Sequence, residues 1–219
     1  MDISNERNSR FFPSTIIGKI THNVLSMLEM SGVRINEDYK SCNMKLLMEM
    51  SKSFCEFVYN ESKKNKFTNV GVNEWNIIMQ NIKTNYMYPL FAPTVETLNI
   101  GCMLSYKESH DSKSSDDKVK TIFINTALSQ LYDSLSVDFF HDETITVHRD
   151  LFIFMSYIIL TVMTKIIFDN ILFLINSKKK TLTLEIFKLT LFSKFNNYNR
   201  MNVYEVFIEH FKVADEPES

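Results

Sequence analysis

The stretch YKSCNMKLLMEMSKSFCEFVYNESKK, residues 39–64, contains neither glycine nor proline. Its apolar side chains recur at the spacing of an α-helix, and they are Met44, Leu47, Met48, Met50, Phe54, Phe57 and Val58. A helix of this length would be roughly 40 Å long. Because these residues occupy more than one face, the helix needs other elements to cover it on several sides.

Shorter helices are predicted on both sides of this long one, which gives the order medium, long, short. Pro13 and Ser14 are typical of a helix start, and the helix that follows ends at Gly32 and carries Ile16, Ile17, Ile20, Val24, Leu25 and Leu28. A first link, Val33 to Asp38, leads into the long helix. A second link contains Phe67, Thr68, Val70, Gly71 and Val72. The short helix, with Asn73 as its predicted N-cap, carries Trp75, Ile77, Ile78 and Ile82.

The same plan recurs after a segment from 84 to 118 that is predicted to be a linker. Pro89, Pro93 and Gly101 break the periodicity there, and residues 109–118 form a polar run. Beyond it, a helix is predicted from Ile124, Ala127, Leu128, Leu131 and Leu135. A loop from Val137 to His148 and a long helix from about Arg149 to Asn176 follow. The repeat is one of architecture, at roughly 105 residues.

After the second long helix, the link Lys178 to Thr183 leads to a short helix with Leu184, Ile186, Phe187, Leu191 and Phe192. A last amphipathic segment, with Val203, Tyr204, Phe207, Ile208 and Phe211, precedes the acidic tail ADEPES. Three helices of these lengths cannot bury the central one by themselves. Two such sets can clasp antiparallel so that the long helices cover each other. The predicted fold class is therefore all-α.

Composition agrees with a helical, folded chain that stays in a reducing compartment. Among 219 residues, 45% are hydrophobic, and only four are glycine and four proline. The three cysteines, Cys42, Cys55 and Cys102, form no C-x-x-C pair and suggest neither a disulfide framework nor a zinc site. The polar start, Asp2 to Arg10, predicts no signal sequence.

The segment Leu151 to Ile175 is apolar enough to raise the alternative of a membrane span. The uncharged run between Asp150 and Lys165 is shorter than the roughly 20 residues that a bilayer core requires, and Lys165, Asp169 and Asn170 follow in the same helix. A helix buried on nearly all sides is the preferred interpretation. A helical membrane-associated viral protein remains the third-ranked alternative for the whole chain.

The connecting segments resemble those of the core histones and their relatives. Gly32-Val33-Arg34-Ile35-Asn36 resembles the turn between the first and second histone-fold helices. Lys180-Thr181-Leu182-Thr183, followed by Glu185 and Ile186, resembles the turn before the third helix. The resemblance covers roughly residues 13–83 and 119–196. The resemblance predicts extra residues within 66–73 of the first half, which also lacks the paired threonines. The loop 137–148 has Asp138, Asp142 and Glu143 where histones are basic.

Two histone folds in one chain resemble the histone doublets of giant DNA viruses, in which fused pairs replace separate core histones. The resemblance implies two consecutive histone folds paired within the chain: a first fold with a short tail (1–83), a linker (84–118), a second fold (119–198) and a C-terminal helix with an acidic tail (199–219). It implies a structural protein of nucleosome-like particles, in a nucleus, virion or viral factory. The expected partners are double-stranded DNA, bound without sequence preference, and other histone-fold chains or doublets, with no membrane, enzyme activity or cofactor.

By the same resemblance, helix starts and paired connecting loops would hold DNA phosphates, with one arginine entering the minor groove. Arg34 is the minor-groove candidate. Lys63, Lys64 and Lys66 would support it from the first half, and Lys178, Lys179, Lys180, Thr181 and Thr183 would act in the second. Ser14, Thr15 and Lys19 would lie at the opening of the first helix.

The charge balance keeps a rival hypothesis open. The chain has 24 Lys and Arg against 26 Asp and Glu, a formal net charge of −2, whereas non-specific DNA affinity depends largely on neutralised phosphates. The rival is a histone-fold scaffold like the subunits of general transcription factors, which dimerise with little DNA contact. The run Lys178 to Lys180 can also be interpreted as a solvated helix end stabilised by the helix dipole.

No catalytic constellation is evident in the sequence. The five histidines, His22, His110, His141, His148 and His210, are scattered, and neither a Gly-rich phosphate loop nor an H-E-x-x-H motif occurs. His141, Asp142, Glu143 and His148 are close in sequence, yet their spacing matches no known closed metal site. Phe139, Phe140 and Trp75 are interpreted as packing residues rather than base-stacking platforms.

Overall fold

The computed structural model describes residues 15–95 and 145–212. In these two ranges the chain forms seven α-helices, four two-residue strands and one short 3-10 helix. The first range contains α1 Thr15–Met27, β1 Arg34–Ile35, α2 Glu37–Lys64, β2 Asn69–Val70, α3 Val72–Gln80, the 3-10 helix Ile82–Thr84 and α4 Tyr88–Val95. The second range contains β3 Thr146–Val147, α5 Arg149–Asn176, β4 Thr181–Leu182, α6 Leu184–Asn196 and α7 Met201–Lys212. The predicted all-α class is confirmed.

The elements repeat at a constant spacing along the chain. Arg34 and Thr146 open β1 and β3, Glu37 and Arg149 open α2 and α5, and each pair is 112 positions apart. The same offset relates β2 to β4 and the starts of α3 and α6, and both long helices have 28 residues. The estimate of roughly 105 residues was therefore too short. The supposed extra residues of the first half are also absent, since β2 and β4 follow their long helices at equal distances.

Two compact units divide the described residues, and each unit takes segments from both halves of the sequence. One, the Trp75 unit, contains residues 50–95 and 145–160, and the other, the Tyr39 unit, contains residues 15–49 and 161–212. In the Tyr39 unit, β1 pairs with β4 in parallel, and in the Trp75 unit, β2 pairs with β3 in parallel. In the Tyr39 unit, the link before α2 therefore lies beside the link after α5. In the Trp75 unit, the link after α2 lies beside the link before α5.

The core of the Trp75 unit is aromatic. Trp75 of α3 is 2% exposed, and its ring lies edge-on to Phe54 of α2, at 6.0 Å between centroids, and to Phe154 of α5, at 5.7 Å. Phe91 of α4 packs against Phe54 at 5.0 Å. The interpretation of Trp75 as a packing residue is confirmed, and its position joins residues from both halves of the chain.

The core of the Tyr39 unit contains a buried polar contact between the two long helices. The Asn170 side chain of α5 donates a hydrogen bond from Nδ2 to the hydroxyl oxygen of Tyr39, at 3.1 Å, and Asn43 donates from Nδ2 to the Tyr39 carbonyl oxygen, at 2.8 Å. All three residues are fully buried. Elsewhere in this unit, Lys194 of α6 forms an ion pair with Asp169 of α5.

Burial of two ionisable groups predicts alkaline sensitivity. Burial raises the pKa of Tyr39 above its ordinary value of 10.0, and burial followed by the nearby Glu56 raises that of the Cys55 thiol above 9.0. As the pH rises, the unfolded chain releases these protons at a lower pH than the folded chain does. Stability should therefore be unaffected by these groups below about pH 8 and should fall above about pH 9, by up to about 1.4 kcal/mol per pH unit for each group. In urea titrations across this range, Tyr39→Phe should show a shallower decline than the wild type, and an equal decline would contradict the assignment.

The two long helices end in the same way. Lys66 and Lys178, two residues beyond α2 and α5, have left-handed backbones with φ of 58° and 54°. The next backbone N–H in each turn, of Phe67 or Lys179, donates to the carbonyl oxygen five residues earlier, at 2.9 and 3.2 Å. This is the Schellman ending, in which glycine usually occupies the left-handed position.

Glycine at these two positions is expected to stabilise the fold. Lys66→Gly and Lys178→Gly should each raise the free energy of unfolding by about 0.5–1 kcal/mol, because a side chain is strained in the left-handed region and glycine is not. Lys52→Gly, at an exposed position inside α2, is the matched control and should lower it by about 1 kcal/mol. Destabilisation by all three substitutions in urea titrations would argue against the left-handed endings.

Several predicted boundaries differ from the structure. Helix α1 ends at Met27 rather than Gly32, because the turn at Glu29 is left-handed, with φ of 52°. Helix α3 begins at Val72 with Gly71 as its N-cap instead of Asn73, and the Gly71 N–H donates to Glu74 Oε2 at 2.9 Å. Residues 84–118, predicted as a linker, begin with the last residue of the 3-10 helix and include α4. The predicted helix around residues 124–135 lies outside the described residues.

One stretch, Tyr157–Asn176 of α5, is long and apolar enough to cross a membrane, with a mean hydropathy of 2.1 in the described part of the chain. Buried core helices of globular proteins meet the same criterion, and 56% of this stretch is buried. The expectation of burial on nearly all sides is wrong at the C-terminal end of this stretch, where three residues are 37–42% exposed: Leu172, Phe173 and Ile175.

Candidate nucleic-acid interface

The first candidate surface is the pair of links in the Tyr39 unit, here called the basic loop pair: residues 33–36 and 177–183. Its register places Arg34 beside Thr181 and Ile35 beside Leu182. The Arg34 backbone N–H donates to the Lys180 carbonyl oxygen at 2.9 Å, and the Asn36 backbone N–H donates to the Leu182 carbonyl oxygen at 3.1 Å. The parallel pairing thus brings Arg34 next to the lysine run of the other sequence half.

Cations are concentrated on this loop pair. Arg34, Lys178 and Lys180 are exposed, and within residues 15–95 and 145–212 none of the three has an ion-pair partner. Lys179 differs, since its Nζ lies 3.4 Å from Glu185 Oε2. Three positive charges of the basic loop pair are therefore available to an anionic ligand, and the fourth is partly neutralised.

The two threonines of the basic loop pair are less exposed than its cations. Thr181 is half-buried within the strand pair. Thr183 is the N-cap residue of α6, but its side chain makes no capping hydrogen bond, and Oγ1 is buried without a partner in the described structure. Because this hydroxyl does not reach the surface, the structure gives no support for a phosphate contact by the Thr183 side chain.

The corresponding links of the Trp75 unit, here called the neutral loop pair, are residues 66–70 and 145–148. Thr146 lies beside Asn69, and its backbone N–H donates to the Thr68 carbonyl oxygen at 2.9 Å. When the two halves are aligned by their offset of 112 positions, Thr146 corresponds to Arg34, and Thr68 corresponds to Lys180. Lys66 is the one cation that matches its counterpart, Lys178. The two loop pairs therefore share a backbone plan but differ strongly in charge.

Two predicted lysines of the first half are held on their own helix. Lys63 lies over the Tyr59 ring, with Nζ 4.4 Å from its centroid. Lys64 forms an ion pair with Glu61 at 3.2 Å, and Glu61 also accepts a hydrogen bond from the Asn81 amide at 2.6 Å. Lys66 is exposed in the turn that follows. Lys66 is thus the best placed of the three predicted first-half lysines to meet a ligand.

The opening of the first helix is only partly described. Ser14 lies outside the described residues, and Thr15 is the first residue of α1, with a side chain that is not described. Lys19 is exposed on α1 in the Tyr39 unit. The structure therefore brings Arg34 next to the link of residues 177–183, while DNA contacts by Ser14, Thr15 and Lys19 stay a prediction.

Metal chemistry gains no support from the described residues, among which no three His, Cys, Asp or Glu side chains form a group that could hold an ion. Three members of the sequence cluster, His141, Asp142 and Glu143, lie outside the described residues, as do Phe139 and Phe140. Its fourth member, His148, is exposed at the end of the neutral loop pair.

One surface that the sequence did not reveal is an open apolar groove on the Tyr39 unit. Leu189 and Phe192 of α6 contribute to it and are 44% and 41% exposed. The sequence places Phe192 in the short helix that follows Thr183 and does not single out Leu189. The signal that was available is the presence of apolar residues on more than one face of α6.

Comparison with known proteins adds no identification: no protein-family model matches the chain, and neither a curated protein nor a solved structure matches it.

Proposed function

We propose that the chain is a histone doublet, two consecutive histone folds paired within one polypeptide, that organises or packages DNA as a structural component. The observation that carries the proposal is the reciprocal pairing of links, β1 with β4 and β2 with β3, each in parallel. It joins the link before each long helix to the link after the other, as expected for two medium-long-short sets that clasp antiparallel. The equal lengths of the long helices support the same interpretation.

DNA would be held mainly at the basic loop pair. Arg34 would enter the minor groove, with Lys178 and Lys180 on the adjacent phosphates. If these three cations each neutralise one phosphate, they contribute about −2.7 to the slope of log K against log salt for duplex DNA. The neutral loop pair would add less, because Lys66 is its main cation.

A net charge of −2 limits what one chain can do alone. Affinity for a single duplex should be modest and strongly salt-dependent. Wrapping would therefore require other histone-fold chains or further copies of the doublet, each adding contacts along the same DNA. The proposed partners are double-stranded DNA, without sequence preference, and such histone-fold chains.

Reconstitution tests the packaging function. The chain would be mixed with duplex DNA of about 147 bp, with and without core-histone dimers, and the complexes digested with micrococcal nuclease. A protected fragment of defined length in a mixture containing the chain, absent when the chain is omitted, is the expected result. A digest that is identical with and without the chain would overturn the packaging role.

The rival is a histone-fold scaffold that binds other proteins and little DNA. The ion pairs of Lys64 with Glu61 and of Lys179 with Glu185 favour it, because they lower the positive charge that two of the predicted DNA contacts could offer. Stable complexes with histone-fold proteins, combined with no DNA binding at low salt in any mixture, would select the scaffold.

A further inference from the structure

An open groove runs between α6 and α7 on the surface of the Tyr39 unit. Its volume is about 440 Å³, and it is lined by Leu184, Glu185, Lys188, Leu189, Phe192 and Tyr204. Four of the six lining residues are leucine or aromatic. The groove is large enough to receive bulky side chains from another molecule.

Aromatic contacts fix the walls of the groove. The Tyr204 ring of α7 meets Phe192 of α6 edge-on, with centroids 5.4 Å apart. The Tyr204 hydroxyl donates to the Lys188 carbonyl oxygen at 3.3 Å. Beneath them, Phe195 packs against Phe207, and both are buried. The groove is therefore formed by packed helices and does not depend on a loop.

The charges around the groove favour an anionic partner. The acidic lining residue, Glu185, is already paired with Lys179. Lys188 lines the groove and has no ion-pair partner among the described residues. Lys178 and Lys180 lie in the link that leads directly into α6, at the end of the groove where Leu184 begins the helix. The apolar lining of the groove thus lies next to the exposed cations Lys178 and Lys180.

We propose that this groove binds an acidic segment of a partner protein, with two bulky apolar side chains seated against Leu189, Phe192 and Tyr204 and carboxylates facing Lys188 and the preceding lysines. This partner is distinct from DNA, because DNA phosphates would bind the cations of the link but would not contact the apolar side chains of Leu189, Phe192 and Tyr204. A second copy of this chain is disfavoured, because symmetric pairing through this face would bring like-charged lysines together.

A synthetic peptide tests the proposal. The probe is a fluorescein-labelled peptide of alternating Asp and Glu that carries one Phe and one Leu three positions apart, measured by anisotropy against the full-length chain. Binding should weaken by about tenfold for Leu189→Ser, which removes an apolar contact, and for Lys188→Glu, which replaces an attraction to carboxylates with a repulsion. A control peptide with both apolar residues replaced by Ser should lose about as much.

Ile77→Ser is the matched control variant. Ile77 occupies the position of Leu189 under the repeat, on α3 of the Trp75 unit, and is 43% exposed, against 44% for Leu189. It should bind the peptide as the wild type does. Equal weakening by Ile77→Ser and Leu189→Ser, or equal binding of the Ser-substituted peptide, would overturn the proposal.

Two further readouts separate this proposal from others. Leu189→Ser should bind duplex DNA like the wild type, so loss of peptide binding with retained DNA binding supports an apolar contact that DNA does not use. Failure of all peptide binding with normal DNA binding would overturn the groove proposal and leave the DNA-binding function standing. Light scattering should give a monomer for the free chain, and a dimer that Leu189→Ser dissociates would replace the peptide with a second copy as the occupant.

Discussion

Trp75→Ala is expected to lower the free energy of unfolding by about 3–5 kcal/mol, as deletion of a large buried aromatic side chain usually does. Trp75 is 2% exposed and lies between Phe54, from the first sequence half, and Phe154, from the second. Small domains are stable by about 5–15 kcal/mol. The variant should therefore unfold at much lower urea concentration, as measured by far-UV circular dichroism.

Ile77→Ala on the same helix is the matched control, because Ile77 is 43% exposed. It should change the free energy of unfolding by no more than about 0.5 kcal/mol. If Trp75→Ala cost less than about 1 kcal/mol, the shared aromatic core of the Trp75 unit would be contradicted. Trp75 is also the one tryptophan in the sequence, so its fluorescence reports unfolding of this core in the wild type.

Reversing the charge of three exposed cations of the basic loop pair is expected to weaken duplex DNA binding by about 100-fold at low salt. The triple variant is Arg34→Glu, Lys178→Glu and Lys180→Glu. Each substitution replaces an attraction to phosphate with a repulsion. The slope of log K against log salt should become shallower by about 2.7, that is, about 0.9 for each lost phosphate contact. Anisotropy titrations across a salt series measure both quantities.

The control for total charge is Lys52→Glu, Lys83→Glu and Lys165→Glu, three exposed helical lysines outside both loop pairs. It changes the net charge by the same amount. We expect at most about a threefold loss of affinity, because charges distant from the contact are largely screened. Equal losses in the two triple variants would mean that DNA responds to overall charge and not to the basic loop pair.

The long helices were the most predictable part of the fold. Helix α5 has the predicted bounds, Arg149–Asn176, and α2 begins two residues before the predicted Tyr39. Uninterrupted stretches without Gly or Pro leave few alternatives to a helix. Helix α4 was missed because Pro89 and Pro93 were interpreted as helix breakers. Pro89 is the second residue of α4, where its missing N–H costs no helical hydrogen bond.

The strand pairs could not be derived from periodicity. Each strand has two residues, too few for an alternating pattern. Their partners are far apart in the chain, as Arg34 and Thr181 illustrate. Pairing of this kind depends on how two long helices pack, which is a property of the tertiary structure.

The candidate site was partly predictable. Lys178, Lys180 and Arg34 were identified from their links, and the pairing of β1 with β4 brings them together. The extra residues expected within 66–73, which the structure does not contain, obscured the match of Thr68 to Lys180. The buried hydroxyl of Thr183 could not be foreseen, because the rotamer of an N-cap side chain depends on its surroundings.

Equilibrium binding of the purified chain to double-stranded DNA, from low to near-physiological salt, tests the central claim most directly. A DNA-organising doublet predicts measurable binding at low salt, no sequence preference, and a steep linear fall of log K with log salt. Addition of histone-fold partners should strengthen this binding. Absence of binding at low salt, both alone and with those partners, would contradict the DNA-organising function and favour the protein scaffold.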